Sequence, residues 1–183
     1  MYILKYSILA VGTVLWCAPF VIGFVRTKRK PFQLDRTARW GMALECAAYS
    51  LLWQGSFWRT PRDWWRVTLS LACFFFAILL SWTCTHALGK HWRVDAALGP
   101  EHVLVRSGPY RFIRHPIYTS MLCVLLGTGF LVTSPTLLLV AVVVFFIGTE
   151  IRMRVEDRLL ESAFGEQFND YERTVSRLIP FLK

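Results

Sequence analysis

The chain has 183 residues, a length that suits one compact domain. Its hydrophobic content of 55% and mean hydropathy of +0.41 are high for a soluble protein. The apolar residues form long runs between short charged stretches, which is typical of a membrane protein. The net charge of +9 does not indicate nucleic-acid binding, because the basic residues flank the apolar runs and form no continuous stripe.

The cysteines indicate neither disulfides nor a zinc site. Their number is odd, no two form a Cys-x-x-Cys pair, and each lies in or beside an apolar segment. We therefore expect small buried hydrophobic side chains rather than disulfides or zinc ligands, and no metal site. The five are Cys17, Cys46, Cys73, Cys84 and Cys123.

Apolar runs of about 20 residues predict three membrane helices in the first half of the chain. Span one is expected at residues 3–25, span two at residues 38–58 and span three at residues 64–88. The first run lacks a clear small-x-small cleavage site and is followed by basic residues. It is therefore interpreted as a retained span rather than a signal peptide. A short turn at residues 59–63, bordered by tryptophans, separates spans two and three at the membrane interface.

The second half begins with a polar loop at residues 89–115, which is followed by an apolar stretch at residues 117–148. That stretch is too long for one span and is interrupted at residues 133–136. The pattern predicts two short helices, the first beginning at Pro116 and the second near Pro135.

Residues 150–183 are charged, with apolar residues at helical spacing. They predict an amphipathic extension of span five at or below the membrane surface, which Gly165 ends or kinks. The expected fold is an all-α integral membrane protein with about five transmembrane helices and a cytosolic amphipathic C-terminal helix. Residues 1–183 are expected to form a single domain.

The end of the polar loop is unusually rich in Arg, His and Tyr for the mouth of a span. Arg114 and Tyr118 lie about one helical turn apart, with His115 beside them. Arg or Tyr alone is typical of a headgroup anchor, but the whole cluster indicates a functional site. In the tail, Arg152 and Glu156 are four residues apart and share a helix face.

Two further carboxylates belong to apolar spans. Glu150 closes span five and Glu45 lies inside span two. A charge near the bilayer usually has a partner or a function. For Glu45, both a hydrogen bond to another helix and a role in a pocket stay open.

An ordered set of motifs carries a family resemblance over residues 88–180. The set combines Gly108-Pro109-Tyr110, Arg114-His115-Pro116-x-Tyr118, an acidic pair before a Leu, Phe164-Gly165, Tyr171 and Leu178-Ile179-Pro180. Together these motifs resemble the isoprenylcysteine carboxyl methyltransferase family and its phospholipid methyltransferase relatives. Spans one to three resemble the family only in layout.

The resemblance implies S-adenosylmethionine as methyl donor, bound in a cytosolic-side pocket that is formed by the loop before helix four and by the C-terminal tail. Residues 1–88 would supply spans one to three, and residues 89–183 the cofactor loop, the helical hairpin and the tail. The resemblance implies catalytic roles for Arg114, Arg152 and Glu156. The implied cofactor-binding residues are His102, Leu104, Val105, Tyr110, Arg114, His115, Tyr118 and Glu156.

Two positions depart from the family pattern. The acidic pair is usually Glu-Glu and here is Glu156-Asp157, which should leave cofactor binding intact. The residue two positions after the motif tyrosine is often Gly and here is Ser120, whose extra bulk could reshape the acceptor pocket.

The chemistry of the residues agrees with such a cofactor. A guanidinium can clamp its carboxylate, a carboxylate can accept from its ribose hydroxyls, and aromatic faces attract its sulfonium. A nicotinamide-dependent membrane reductase, which shares the Arg-His-Pro-x-Tyr string, and a non-catalytic membrane scaffold remain alternatives.

The acceptor is expected to be a lipid-linked or amphiphilic small molecule or protein. A carboxylate is favoured over a phospholipid amine. A carboxylate is already ionised at neutral pH, whereas a protonated amine must first lose a proton to a base. His115, Glu150 or Glu156 could serve as that base, so the amine stays open.

The distribution of basic residues predicts the topology. Three segments, at residues 26–39, 89–115 and 149–183, carry 17 of the 21 Lys and Arg residues. With five spans these segments share one side, which the positive-inside rule makes the cytosol, with the N-terminus outside.

Single cysteines in a cysteine-free background, one in the 59–63 turn and one in the tail, should therefore react with a membrane-impermeant thiol reagent from opposite sides. Labelling of both from the same side would contradict the five-span topology.

Overall fold

The computed structural model describes residues 2–26, 33–34, 36–54, 63–89, 97–98 and 103–180. Nearly all of the described chain is helical, which confirms the predicted all-α class. A 3₁₀ helix at Gly108–Arg111 precedes α4, and two strands of two residues each are also present. The α-helices are α1 (Tyr2–Arg26), α2 (Ala38–Leu51), α3 (Trp64–Leu88), α4 (Pro116–Val132), α5 (Pro135–Phe164) and α6 (Glu166–Thr174).

Three helices, α1, α3 and α5, are long and apolar enough to cross a membrane. Helix α4 is apolar but has 17 residues, and α2 has 14. At 1.5 Å per residue these two extend only about 26 and 21 Å, less than the ~30 Å hydrocarbon core. Span two was predicted to reach residue 58, whereas α2 ends at Leu51 and residues 55–58 lie outside the described part. The chain is a multi-pass membrane protein in which two shorter helices pack beside longer ones.

The two helices predicted from residues 117–148 are confirmed, and their proline positions explain both boundaries. Pro116 and Pro135 stand in the first turns of α4 and α5, where the missing N–H costs no helical hydrogen bond. Ser134 caps α5 by accepting a hydrogen bond from the Leu137 amide at 3.3 Å.

The predicted extension of the fifth span is confirmed, because α5 continues for 30 residues to Phe164. Its charged C-terminal half keeps helical spacing and therefore extends the same helix beyond the apolar part. Gly165, at φ 50°, ends α5 as predicted, since this left-handed conformation favours glycine.

Buried polar contacts fix α3 antiparallel to α4. From the first turn of α3, Arg66 donates from Nε to the carbonyl of Phe130 at 2.7 Å and from Nη2 to that of Thr133. About one turn on, the Ser70 hydroxyl donates to the carbonyl of Gly127 at 2.7 Å. The cation therefore satisfies carbonyls that the end of α4 leaves without helical partners.

Strands β1 (Gln33–Leu34) and β2 (Ala97–Leu98) pair antiparallel, with Gln33 opposite Leu98 and Leu34 opposite Ala97. They join the connection after α1 to the connection after α3. The two strands therefore bring these parts of the chain together at the end of the bundle where α4 starts.

Helices α2 and α5 approach each other closely at two glycines. A Cβ added at Gly41 would lie 2.5 Å from the Gly148 carbonyl oxygen and 2.5 Å from Cγ of Arg152. A Cβ at Gly148 would lie 2.7 Å from the Gly41 carbonyl oxygen. Backbone thus contacts backbone at this crossing, as small residues permit in membrane helices.

We expect Gly41→Ala to destabilise the protein by about 1–3 kcal/mol, because the methyl group forces α2 away from α5. Thermal unfolding in detergent measures this loss. Ala43→Leu is the matched control, since it adds more volume on the exposed side of the same helix and should leave the Tm unchanged. Equal Tm values for Gly41→Ala and wild type would contradict the close crossing.

Candidate active site

The site begins at the entry to α4. The 3₁₀ helix at Gly108–Arg111 starts with Gly108 at φ 62°, and the Phe112 amide closes the turn on the Pro109 carbonyl at 3.0 Å. Arg114 and His115 follow immediately before Pro116 starts α4. The local sequence therefore places a cation and an imidazole at the mouth of the helix, with the Tyr118 side chain one turn inside.

The C-terminal half of α5 supplies the opposite charges. The connection at Thr133–Ser134 makes α4 and α5 neighbours, so Glu156 and Asp157 reach the first turn of α4 from more than thirty residues away in sequence. The structure thus brings together Arg114, His115 and Tyr118 with the acidic pair, as the sequence predicted for this end of the bundle.

Arg114 contacts two carboxylates and an aromatic ring. Its Nη1 lies 3.2 Å from Oδ2 of Asp157 and 2.8 Å from Oε1 of Glu172 in α6. The guanidinium carbon lies 5.9 Å from the centre of the Phe168 ring. Its Nε is buried and has no hydrogen-bond partner within the described part of the chain. The side chain is therefore fixed in place and keeps a donor for a further acceptor.

His115 lies between the two acids and is 6% exposed. Its Nε2 is 2.8 Å from Oδ1 of Asp157, and its Nδ1 is 3.4 Å from Oε2 of Glu156. The Tyr118 hydroxyl donates to the other oxygen of Glu156. Burial by itself would lower the pKa of His115, but the hydrogen bonds and charges of Asp157 and Glu156 outweigh it, so the pKa is raised above its usual value.

Arg152 connects this cluster to α2. Its Nη1 lies 2.8 Å from Oε2 of Glu45, and the Thr149 hydroxyl donates to Oε1 of Glu45 at 3.1 Å. The guanidinium carbon lies 5.1 Å from the centre of the Tyr118 ring, a cation–π arrangement. Glu45 therefore makes the hydrogen bond to another helix that was one of its two expected roles.

The C-terminal segment closes over the entry to α4. The backbone amides of Arg114 and His115 donate to the carbonyls of Ser176 and Arg177 at 2.8 and 3.0 Å. The Thr119 hydroxyl donates to the carbonyl of Leu178 at 2.7 Å. Since these bonds join the tail to the residues that present the charges, the tail is part of the site.

Sequence reasoning gave no role to Arg177, Glu172 or Asp157. Arg177 places Nη1 2.9 Å from Glu150 and Nε 3.2 Å from Asp157, which gives Glu150 the partner that its position required. Asp157 was recognised only as half of the acidic pair. No spacing signal could have found Arg177, because its partners lie 27 and 20 residues earlier on another helix.

Three other predicted cofactor residues lie before the entry to α4. Leu104 and Val105 are half-buried in the extended segment before the 3₁₀ helix, and His102 lies outside the described residues. Tyr110 is buried, and its carbonyl accepts a hydrogen bond from the Tyr171 hydroxyl at 2.6 Å. The cofactor roles of these four residues stay predictions.

Ser120, the departure on helix four, takes part in a contact between α1 and α4. Its hydroxyl donates to the Ile117 carbonyl at 2.7 Å and accepts from the Trp16 indole at 3.2 Å. Both hydrogen-bonding capacities are therefore used inside the bundle. An effect on the acceptor pocket stays a prediction.

Comparison with known proteins assigns the chain to a family. The sequence model of the isoprenylcysteine carboxyl methyltransferase (ICMT) family matches residues 70–162. The chain belongs to this family. The matched range contains the entry to α4 and both acids of α5. It ends before α6 and the tail and begins after α2.

Among similar proteins is the protein-S-isoprenylcysteine O-methyltransferase of Tribolium castaneum, 26% identical over 65% of this chain and 43% of that protein. Protein-S-isoprenylcysteine O-methyltransferase B of Arabidopsis thaliana is 28% identical over 66% of this chain and 62% of that protein. The cobalt-zinc-cadmium resistance protein CzcN of Cupriavidus metallidurans is 30% identical over 80% of this chain and 64% of that protein. The chain thus spans less than two thirds of the length of each of these relatives.

The raised pKa of His115 predicts a pH-dependent stability. A protonated His115 stabilises the fold at low pH, and this contribution is lost as the pH rises through the pKa of the folded state. His115→Gln should therefore lower the free energy of unfolding by about 1.5–3 kcal/mol at pH 6 and by less at alkaline pH. Thermal unfolding from pH 6 to 9 measures this difference.

The control for this series is His86→Gln, which changes an exposed histidine near the end of α3. It should keep the wild-type pH dependence. A destabilisation by His115→Gln that is the same at every pH would contradict a protonated His115.

Proposed function

We propose that this chain is a membrane methyltransferase that uses S-adenosylmethionine and O-methylates a carboxylate on an amphiphilic acceptor. The observation that carries the proposal is the arrangement at one end of the bundle. There, His115, Arg152 and Glu156 contact Tyr118, at the boundary of apolar helices. Asp157 pairs with His115 and with Arg114 beside them. Membership of the ICMT family and similarity to two protein-S-isoprenylcysteine O-methyltransferases support the reaction class.

The residues present fit the proposed cofactor in kind. Arg114 has a buried Nε without a protein acceptor among the described residues, as a site for a carboxylate would have. The carboxylate of Glu156, exposed over 26% of its side chain, can accept hydrogen bonds from ribose hydroxyls. The Tyr118 and Phe168 rings already lie beside the guanidinium groups of Arg152 and Arg114, so the cluster accommodates positive charge next to aromatic rings.

When bound, S-adenosylmethionine supplies a methyl group on a positively charged sulfur. An acceptor lone pair can attack the methyl carbon in line, and the sulfur leaves as a neutral thioether. Arg114 would bind the carboxylate of the cofactor, and Glu156 would orient its ribose. Arg152 would attract the acceptor carboxylate and align it with the methyl group. The apolar helix boundary would exclude water around the two reacting charges, so that alignment and desolvation supply the catalysis.

The state of the candidate bases favours a carboxylate acceptor over an amine. His115 is engaged by Asp157 and Glu156, and Glu150 pairs with Arg154 and Arg177. None of these groups is thus presented as an unoccupied base for a protonated amine. An acceptor that is already ionised needs no such base.

We also propose that the site faces the cytosol and that residues 1–183 act as one domain. The pairing of β1 with β2 supports this orientation, because it holds two of the three basic segments at one end of the bundle. The ends of α4 and α5 that carry Arg114 and Glu156 lie at the same end. The positive-inside rule assigns that end to the cytosol.

Arg114→Ala should weaken S-adenosylmethionine binding by a charge-assisted hydrogen bond, on the order of 1.5–3 kcal/mol. Glu156→Ala should also weaken it, through loss of the acceptor for the ribose. Calorimetric titration of the detergent-solubilised protein measures both affinities. Arg158→Ala, an exposed position on the same helix, is the control and should bind as wild type does.

Unchanged affinity in both Arg114→Ala and Glu156→Ala would exclude this pocket. Titration with NADPH in parallel separates the reductase alternative, since only one of the two cofactors should bind. Failure of the wild-type protein to bind either cofactor would favour a non-catalytic scaffold.

The product identifies the acceptor group. With labelled S-adenosylmethionine and N-acetyl-S-farnesylcysteine as probe, we expect a product whose methyl group is released by base, as an ester requires. The rate should vary little from pH 6 to 8 apart from titration of the site itself. A base-stable methylamine formed from phospholipid would instead identify an amine methyltransferase.

A further inference from the structure

Glu45 is a buried carboxylate on an apolar helix that lies outside the range matched by the family. Its side chain is 2% exposed, and residue 45 precedes the matched residues 70–162. An unpaired charge at such a position is costly, so its contacts decide what it does.

Each oxygen of Glu45 is used by a residue of α5. Oε2 accepts from Nη1 of Arg152 at 2.8 Å, and Oε1 accepts from the Thr149 hydroxyl at 3.1 Å. Thr149 thereby fixes the orientation of the carboxylate, and the carboxylate fixes one end of the guanidinium. The carbon of that guanidinium lies over the Tyr118 ring, 5.1 Å from its centre, and the Tyr118 hydroxyl donates to Glu156.

Packing of α2 on α5 does not require this carboxylate. The two helices already meet at Gly41 and Gly148, and Tyr49 packs edge-on against Phe145 with ring centres 6.3 Å apart. Apolar side chains of similar volume can replace a buried ion pair without loss of stability. The retained charge therefore points to a role in the position of Arg152.

We infer that Glu45 is a positioning residue of the methyl-transfer site: it holds the Arg152 guanidinium against Tyr118 and so fixes the cation that meets the acceptor carboxylate. This inference rests on the proposed function. It makes α2 a part of the site. Glu156 is also held by His115, which Glu45 does not contact, so loss of Glu45 affects the acceptor more than the cofactor.

The test compares Glu45→Gln, Arg152→Gln and the double variant. Glu45→Gln keeps the volume of the side chain and removes its charge. We expect its kcat/KM for N-acetyl-S-farnesylcysteine to fall about tenfold, as for one weakened charge-assisted hydrogen bond, while the Kd for S-adenosylmethionine changes less than about threefold. In the Arg152→Gln background, Glu45→Gln should cause no further loss.

Two control variants separate positioning from stability. Ser50→Ala removes an exposed hydroxyl that bonds within α2 and should behave as wild type. Arg66→Gln replaces a buried cation at the opposite end of the bundle by a neutral amide. It should lower the Tm while kcat/KM per folded protein stays unchanged.

A second readout does not depend on methyl transfer. Reaction of Arg152 with phenylglyoxal, followed by peptide mass spectrometry, should be slow in wild type and faster in Glu45→Gln, because the guanidinium is no longer held. Unchanged labelling, unchanged kcat/KM, or an additive loss in the double variant would each overturn the inference. If wild type neither binds S-adenosylmethionine nor methylates the probe, the proposed function fails, and the labelling still decides whether Glu45 positions Arg152.

Discussion

Charge that leaves water has to meet opposite charge, and this constraint organises the end of the bundle where α4 begins. His115 is buried between Glu156 and Asp157, Arg152 is buried against Glu45, and Arg114 lies between Asp157 and Glu172. Removal of one partner from a buried pair is costly, because the other charge is left uncompensated. The positions of α2, α5, α6 and the tail around α4 are therefore linked through these pairs.

The same pairs set the terms on which a ligand can bind. An anionic group that approaches Arg114 competes with two carboxylates, and a cationic group adds to the acids around His115. A charged ligand at such a site would interact with these pairs, so its affinity should depend on each member of the cluster. The rigidity of the apolar helices below the cluster keeps its geometry constant.

Membership of the ICMT family covers only part of this arrangement. The matched residues 70–162 include α4 and most of α5, and these two helices carry the charges at the centre. Glu45 precedes that range, whereas Phe168, Glu172 and Arg177 follow it. The surrounding elements thus complete pairings whose central members lie in the matched range.

Much of the architecture followed from the sequence alone, because its determinants are local. The apolar run Trp64–Leu88 became α3 with the predicted bounds, and Pro116 and Pro135 start helices, since a proline needs no donor in the first turn. The cluster of Arg114, His115 and Tyr118 was recognisable because its members lie close together in the sequence, at the start of α4.

Only the tertiary structure decided which charged side chains pair with each other. Which carboxylate meets which cation depends on helix crossing and on the path of the tail, and neither leaves a periodic signal in sequence. The role of Glu45 could be assigned only from the packing of α2 against α5. The role of Arg177 could be assigned only from the contacts of the tail with Glu150 and Asp157. The sequence by itself determined where charges enter an apolar bundle, because burial and helical period are properties of short segments. The fold decided how those charges are neutralised, because electrostatic pairing acts through space between segments that are distant in the chain.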